Sequence, residues 1–555
     1  MVNFIDSIVL LFNMKIGKNL NHETTLFMTK IKSARALLTF LFVCTLLINA
    51  HTQKLYDDAC QAEKSIVNQS SNQQNSVTEI KNLKDTSEES KQSNVIAFKN
   101  TETKELSSLT KKLLKKLALT GDTVTKVPEP AVPFAFADFS WLNGNNRQSA
   151  ALMDGPVFTP DFTVDINYTR SNQNPIDNTV LGSTALSRNN ESTVSFVGIG
   201  GDFHYQNIRG RLMTQFGTRA TVVPRNDYSG YHGLYDLPDA YRYLSEAYGG
   251  YHFNKWHGIN VDMGIFMSYI GMFSYNNFEN WSYQPSYTSD NTPWFFNGIR
   301  VQMFPTEKTK IELWFINGWQ SYAMFNKMPG FGFAVVHRPN GNNSFVSNNY
   351  YGSDVAGIPE VKRFHTDNTW QHKYYENLKS HGIKRAAFTI TGDFGFQWGS
   401  GGGMTFTPFG DTTASNFISG MVYNRVWFGK DAKWGWTIGG GFLHNPSRYL
   451  ALVPPGQATD QFLAQAVPGA KMDGWDASTC IDYNPNEYLT IRLELVHRYM
   501  SIPYFNGPGG VTGPGGYQAN PSASFNPNSY VTNTGWTPDL VNSETRGLVA
   551  LIVRF

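Results

Sequence analysis

From about Pro156 to Phe555 the chain alternates apolar and polar residues in segments of roughly ten, with no apolar run of membrane-helix length among them. Side chains alternate faces with a period of two in a strand. In "LTIRLELVHRY", Leu489, Ile491, Leu493 and Leu495 therefore share one face, and Thr490, Arg492, Glu494 and Arg498 the other. The same division occurs in "INVDMGIFMSY", with Val261, Met263 and Ile265 against Asp262, and in "GIRVQMF", with Ile299, Val301 and Met303 against Arg300 and Gln302. A long train of such segments is the signature of strands with one face in lipid and one in a polar interior. If this chain crosses a membrane it does so as a closed set of strands, since only helices and closed barrels satisfy every backbone hydrogen bond in hydrocarbon.

Connections carry the count. Seven are short: Gln206–Asn207, then residues 254–257, 305–308, 339–343, 376–382, 429–432 and 484–487. Between them lie long aromatic and Gly/Pro-rich stretches such as 272–293, 445–472 and 502–543. Short turns at one end and long loops at the other characterise an outer-membrane barrel. Seven inner turns with both termini on the same side imply sixteen strands and eight outer loops, with fourteen to eighteen as the range. The expected fold is an all-β, antiparallel, up-and-down transmembrane β-barrel over residues 131–555. Its first strand is "FTPDFTVDINYTR" and its last "TRGLVALIVRF"; residues 133–145 form an extra segment that lines or plugs the interior or pairs as a strand.

The terminal "GLVALIVRF" puts Val549, Leu551, Val553 and Phe555 on one face and Leu548, Ala550, Ile552 and Arg554 on the other. Chain ends usually fray. This one must be ordered to its last residue, because a barrel loses its free edge only when the last strand pairs with the first. An alternating strand ending in an aromatic also resembles the signal read by barrel-assembly machinery, an expected partner during biogenesis. Trp434 with Trp436, and Phe394, Phe396 and Trp398, sit where interfacial aromatic girdles belong.

Ahead of the strands, Lys30, Lys32 and Arg35 precede an apolar run from Ala36 to Ile48 that ends near Ala50. This is the layout of a secretory signal peptide, and residues 1–27 are expected to lie upstream of the true start. Residues 51–130 form a polar periplasmic leader whose composition cannot bury enough surface to order itself. Within it, Leu106, Leu109, Leu113, Leu114 and Leu117 mark a short amphipathic helix.

Only 16% of residues are charged, and 14% are aromatic. Residues 1–50 hold five Lys/Arg against two acids, which leaves 41 against 42 and a net charge of −1 for the remainder. A nucleic-acid partner, which calls for a basic face, is unsupported. Cys44, Cys60 and Cys480 are too few for a disulfide framework. "GSGGGM" and "GGVTGPGG" lack the Lys-Ser/Thr of a phosphate loop, and His252, His257, His337, His444 and His497 have no metal-ligand spacing. No catalytic residue, metal or cofactor is expected. A plug-domain transporter is disfavoured by chain length, and a barrel-borne hydrolase using outward Ser and His is a minor alternative.

The segments "EAYGGYHFNKWHGINVDMGIFMSYIG" and "DNTPWFFNGIRVQMFPTEKTKIELWFINGWQ" resemble the OmpL-like β-barrel porins, through Glu246, Ala247, Tyr248, Asp262, Gly264, Phe266, Asn291, Pro293 and Asn317 to Gln320. "GWDASTCIDYNPNEYLTIRLELVHRY" is similar to the penultimate hairpin of that family. The resemblance implies a non-enzymatic diffusion channel in the outer membrane. Its expected partners are membrane lipid and small hydrophilic solutes, as a monomer or a homotrimer. The pore-lining candidates are Arg209, Arg211, Asp262, Arg300, Glu312, Arg492, Glu494 and Arg498, which would set a transverse field that tunes solute charge preference. Two alternatives stay open: a barrel whose long loops bind a surface ligand, and a secreted soluble β-rich glycan-binding protein.

Overall fold

The computed structural model describes residues 131–224, 227, 235–355, 357–399, 415–445, 472–511 and 539–555. The expected signal peptide, polar leader and amphipathic helix lie outside these residues, as do most of 445–472, most of 502–543 and most of the "GSGGGM" and "GGVTGPGG" stretches. Among the described residues no helix is long and apolar enough to cross a membrane.

Sixteen strands close into one antiparallel barrel. They are β1 (Phe158–Ser171), β2 (Ser192–Tyr205), β3 (Ile208–Thr214), β4 (Leu244–Phe253), β5 (Ile259–Met267), β6 (Phe295–Thr306), β7 (Thr309–Ile316), β8 (Gly330–Asn340), β9 (Asn343–Gly352), β10 (Lys362–Glu376), β11 (Ile383–Trp398), β12 (Ser415–Phe428), β13 (Trp434–Asn445), β14 (Met472–Asn486), β15 (Leu489–Met500) and β18 (Ser543–Arg554). Two short strands, β16 (Phe505–Asn506) and β17 (Leu540–Val541), pair with each other in the loop between β15 and β18. All seven expected short turns join consecutive strands. The weaker expectations at 344–352 and 363–375 are the strands β9 and β10.

Closure depends on β18. It pairs with β15 on one side and with β1 on the other, through the register Thr163↔Arg554 to Ser171↔Arg546. Phe162 N–H donates to Phe555 O at 3.0 Å and Phe555 N–H to Phe162 O at 2.8 Å. Pairing thus runs to the last residue, and the Phe555 ring lies between those of Phe162 and Tyr488. The outer row of β18, Val549, Leu551 and Phe555, is exposed, whereas Leu548, Ala550 and Ile552 are buried inside. Outward aromatics form bands at both ends of the wall, with Trp434, Trp436, Phe394 and Trp398 all exposed.

The interior is filled over much of its cross-section. Three stretches turn inward: residues 131–149, the loop 172–191 and the loop 268–294. Trp141, Phe278, Tyr283 and Tyr287 are each 1% exposed or less. Residues 133–145 do not pair as a strand; they make turns and bends inside the barrel. Inward aromatics on the wall, among them Trp314, Tyr350, Phe417 and Tyr423, pack against these inserts. This is why aromatic residues occupy both faces of several strands.

Candidate functional site in the barrel interior

A loop folded into a barrel must find partners for its backbone polar groups, because orphaned buried groups are costly. Here the inner wall supplies them. Glu494 on β15 accepts from the backbone N–H groups of Tyr283 and Gln284. Asp476 on β14 accepts from Ser286 Oγ at 2.8 Å and Tyr287 N–H at 3.1 Å. Asp165 on β1 accepts from Tyr283 OH and Asn277 Nδ2, both at 2.8 Å. Arg492 donates to the carbonyls of Asn277 and Asn280, at 3.2 and 2.7 Å, and pairs with Asp482 at 2.6 Å. Arg498 donates to the carbonyls of Gly182 and Pro285 and pairs with Asp290 at 2.6 Å. Asp290 also accepts from Thr184 N–H and Oγ1, which ties the loop 172–191 to the loop 268–294.

The segment 131–149 spans the turn end of the barrel. Ala131 O accepts from the His257 ring at 2.7 Å, and Phe134 N–H donates to Glu307 O at 2.8 Å. Arg338 lies over the rings of both Phe134 and Phe139. Farther along, Trp141 Nε1 donates to Gly341 O, Asn143 N–H to Gln371, and Arg147 to Thr490 Oγ1 and Phe278 O. Gln148 reaches the carbonyl of Arg554 at 3.0 Å, on the opposite side of the barrel. The segment is a strap, and the Trp281 indole bonds it to the loop through Trp141 O.

Solvent reaches a third region, on the wall formed by β2 to β6. Asp202 and Arg209 keep side-chain exposures of 51% and 28%. Arg211 contacts three carboxylates, Asp161 at 2.9 Å, Asp202 at 2.8 Å and Glu246 at 2.5 Å. Asp262 sits between Arg209 at 3.3 Å and Arg300 at 2.8 Å. The Arg300 guanidinium lies over the rings of Tyr248, Phe266 and Trp314. Gly264 and Gly298 face each other at φ +143° and +155°, and a Cβ on either would come within about 2.2 Å of a carbonyl on the next strand. Only glycine fits these two positions of the wall.

All eight pore-lining candidates fall on the interior row. Arg209, Asp262 and Arg300 are brought together, with Arg211 beside them on β3. Glu312 is not ion-paired with Arg300; it is held by Lys310 at 2.8 Å and Gln302 at 2.7 Å and accepts from the indole of Trp314, over whose ring Arg300 lies. Arg492, Glu494 and Arg498 are about 1% exposed. They face inward, as the alternation implies, yet the loop 268–294 covers them. Their partners come largely from that loop and from Asp482 on the neighbouring strand, so they anchor the loop. Sequence reasoning passed over Asp161, which bridges Arg211 and Arg554, and Arg425, which pairs with Asp482 at 2.7 Å. Arg425 shares the inward row with Tyr423 and Trp427, each two residues away, so the alternation of β12 alone could have placed it. Among the described residues no group of His, Cys, Asp and Glu is arranged to hold a metal.

The family model described as putative beta-barrel porin-2, OmpL-like, matches residues 161–555. This chain belongs to that family. The match covers the barrel from β1 to the terminal Phe555, so this OmpL-like barrel is a porin-like protein of the outer membrane. No curated protein matches the chain. Similar solved structures include the outer-membrane channel DcaP of Acinetobacter baumannii, at 10% identity, covering 72% of this chain and 97% of that one with a TM-score of 0.41. Another is the OprB of Pseudomonas putida, at 12% identity, with 72% and 94% covered and a TM-score of 0.41. An anion-selective porin from Comamonas acidovorans gives 12% identity, 72% and 99% covered, and a TM-score of 0.39.

Proposed function

We propose that this OmpL-like barrel is a passive diffusion channel for small hydrophilic solutes, with its short turns and both termini in the periplasm. Solutes pass along the β2–β6 wall, beside Arg209, Arg211, Asp262 and Arg300. The observation that carries this reading is the uneven filling of the interior. Inward loops cover Asp482 on β14 and Arg492, Glu494 and Arg498 on β15 to about 1% exposure, while the side chains of Asp202 and Arg209 on the other wall stay open to water. Opposed fixed charges at such a wall sort permeating ions by sign.

The reading involves no catalytic step; the protein supplies a shaped, charged passage. Barrel-assembly machinery would take the chain by its ordered terminal strand. The loop 268–294 folds inward, and so do Ile502, Tyr504 and Phe505 at the start of the long final loop, all 2% exposed or less. An inward course favours narrowing a pore over forming a binding surface at the cell exterior. The test is single-channel recording of the purified protein in a planar bilayer. Stable ohmic steps with a measurable reversal potential under a salt gradient are expected, and a folded, heat-modifiable barrel that stays electrically silent refutes the proposal.

A further inference from the structure

Inward arginines elsewhere in the barrel end on oxygen. Arg211, Arg300, Arg492 and Arg498 lie beside carboxylates, and Arg147 donates to Phe278 O and Thr490 Oγ1. Arg338 on β8 differs. Its Nε is buried without a hydrogen-bond partner, and among the described residues no carboxylate pairs with its guanidinium. Instead the group lies over the rings of Phe134 and Phe139, 4.6 Å from each centroid. Aromatic faces attract the cation but give its N–H groups no oxygen to bind.

Arg338 borders a cavity of about 130 Å³ between the strap and the β8–β10 wall, lined also by Asn143, Gly271, Ser344, Thr369 and Gln371. Asn143 is 3% exposed and held on three sides. Gln371 accepts its backbone N–H at 2.9 Å and donates to its carbonyl at 3.3 Å, and Trp281 N–H donates to its Oδ1 at 2.7 Å. That last bond orients the amide, since a backbone N–H requires an acceptor, and it leaves Nδ2 as a buried donor without a partner.

Other charges on this wall are already matched. Lys373, on the inward row of β10, pairs with Glu376 at 2.8 Å. Asp367 takes the Gly271 N–H at 3.1 Å and lies four residues from Gln371, about 13 Å along the strand. The end of the cavity at Arg338 and Asn143 therefore presents donors and a positive charge.

We infer that this cavity is a binding site for a small carboxylate, clamped between Arg338 on the wall and Asn143 on the strap. A guanidinium fork matches the two oxygens of a carboxylate in one plane, and the Asn143 amide adds a donor. A phosphate would bring further oxygens and a second charge that one guanidinium does not match. At roughly 30 Å³ per water-sized group, the space takes about four heavy atoms, the size of acetate. The site stands apart from the β2–β6 wall, and binding there does not depend on conduction. Because its donors come from both wall and strap, a ligand that binds only their joined arrangement stabilises it.

The test is saturation-transfer NMR on acetate with the purified full-length protein in detergent, for the wild type, Arg338→Met, Arg338→Lys and, as a control for nonspecific charge, Lys379→Met in an exposed turn. The wild type and the control are expected to show one saturable site. Arg338→Met should bind about tenfold more weakly, the loss of one charge-assisted contact, and Arg338→Lys, which keeps the charge without the fork, several-fold more weakly. Arg338→Lys keeps the test decisive if Arg338→Met fails to assemble. Acetate in place of chloride at matched ionic strength should also raise the temperature at which the heat-modifiable wild type converts on gels, and leave that of Arg338→Met unchanged. No saturable signal from a folded wild type, wild-type affinity in the Arg338 variants, or displacement of acetate by inorganic phosphate at lower concentration than by formate would each overturn the inference.

Discussion

Replacing Asp290 by Ala should open the interior. Asp290 is 2% exposed and is the carboxylate paired with Arg498, itself 1% exposed. Removing one partner of a buried ion pair leaves an uncompensated charge, at about 3–5 kcal/mol. The same change deletes both Thr184 bonds that hold the loop 172–191. Water already present in the lumen will hydrate Arg498 once the loop moves, so the lower end of that range applies to the loop-in state. At a factor of ten per 1.4 kcal/mol, about 3 kcal/mol raises the population with the loop 268–294 withdrawn by roughly 10²-fold. Single-channel recording should then show larger or fluctuating conductance, and limited proteolysis of the folded barrel should begin cutting within 268–294. Asp290→Leu/Arg498→Met removes the unpaired charge and should recover part of the closed behaviour, the remainder staying lost with the bonds to Thr184, Gly182 and Pro285. Wild-type conductance and wild-type protease resistance in Asp290→Ala would refute the anchoring argument. Altered proteolysis without any conductance would instead refute the channel.

Reversing both cations beside Asp262, in Arg209→Glu/Arg300→Glu, should move the reversal potential under a salt gradient toward cation preference; an unchanged value places the ion path elsewhere. Trp141→Ala removes an indole that is fully buried and bonded to Gly341, and should loosen the strap and raise conductance in the same recordings, whereas a loss of conductance contradicts a strap that narrows the passage. Phe555→Ala deletes two ring contacts that close the barrel, at about 0.5–1.5 kcal/mol each, and should lower the temperature at which the heat-modifiable form converts on gels. Cys480 is free and buried, so in a Cys44→Ser/Cys60→Ser background a membrane-impermeant thiol reagent should label the protein only after denaturation.

The sequence by itself determined the wall. Alternation with a period of two assigns each strand residue a face, and the seven short turns bound the strand number to between fourteen and eighteen, because both signals are local and survive without tertiary information. It also determined closure, since "GLVALIVRF" can satisfy its backbone with an apolar outer row against lipid only when paired on both sides. Arg209, Arg211, Asp262, Arg300, Glu312, Arg492, Glu494 and Arg498 could therefore all be placed on the interior row by register alone.

Only the tertiary structure decided which of these charges meet water. Loops follow no period, so nothing in the residues 268–294 or 131–149 announces whether they project outward or fold into the barrel. Their course is set by long-range partners such as Glu494 for the amides of Tyr283 and Gln284, Arg498 for Asp290, and Gly341 for Trp141, which lie up to some two hundred residues away. That filling buries Arg492 and Arg498 and leaves Arg209 hydrated, although all three satisfy the same alternation rule. The physical reason is that face is a property of the strand, whereas exposure depends on what occupies the opposite side of the lumen.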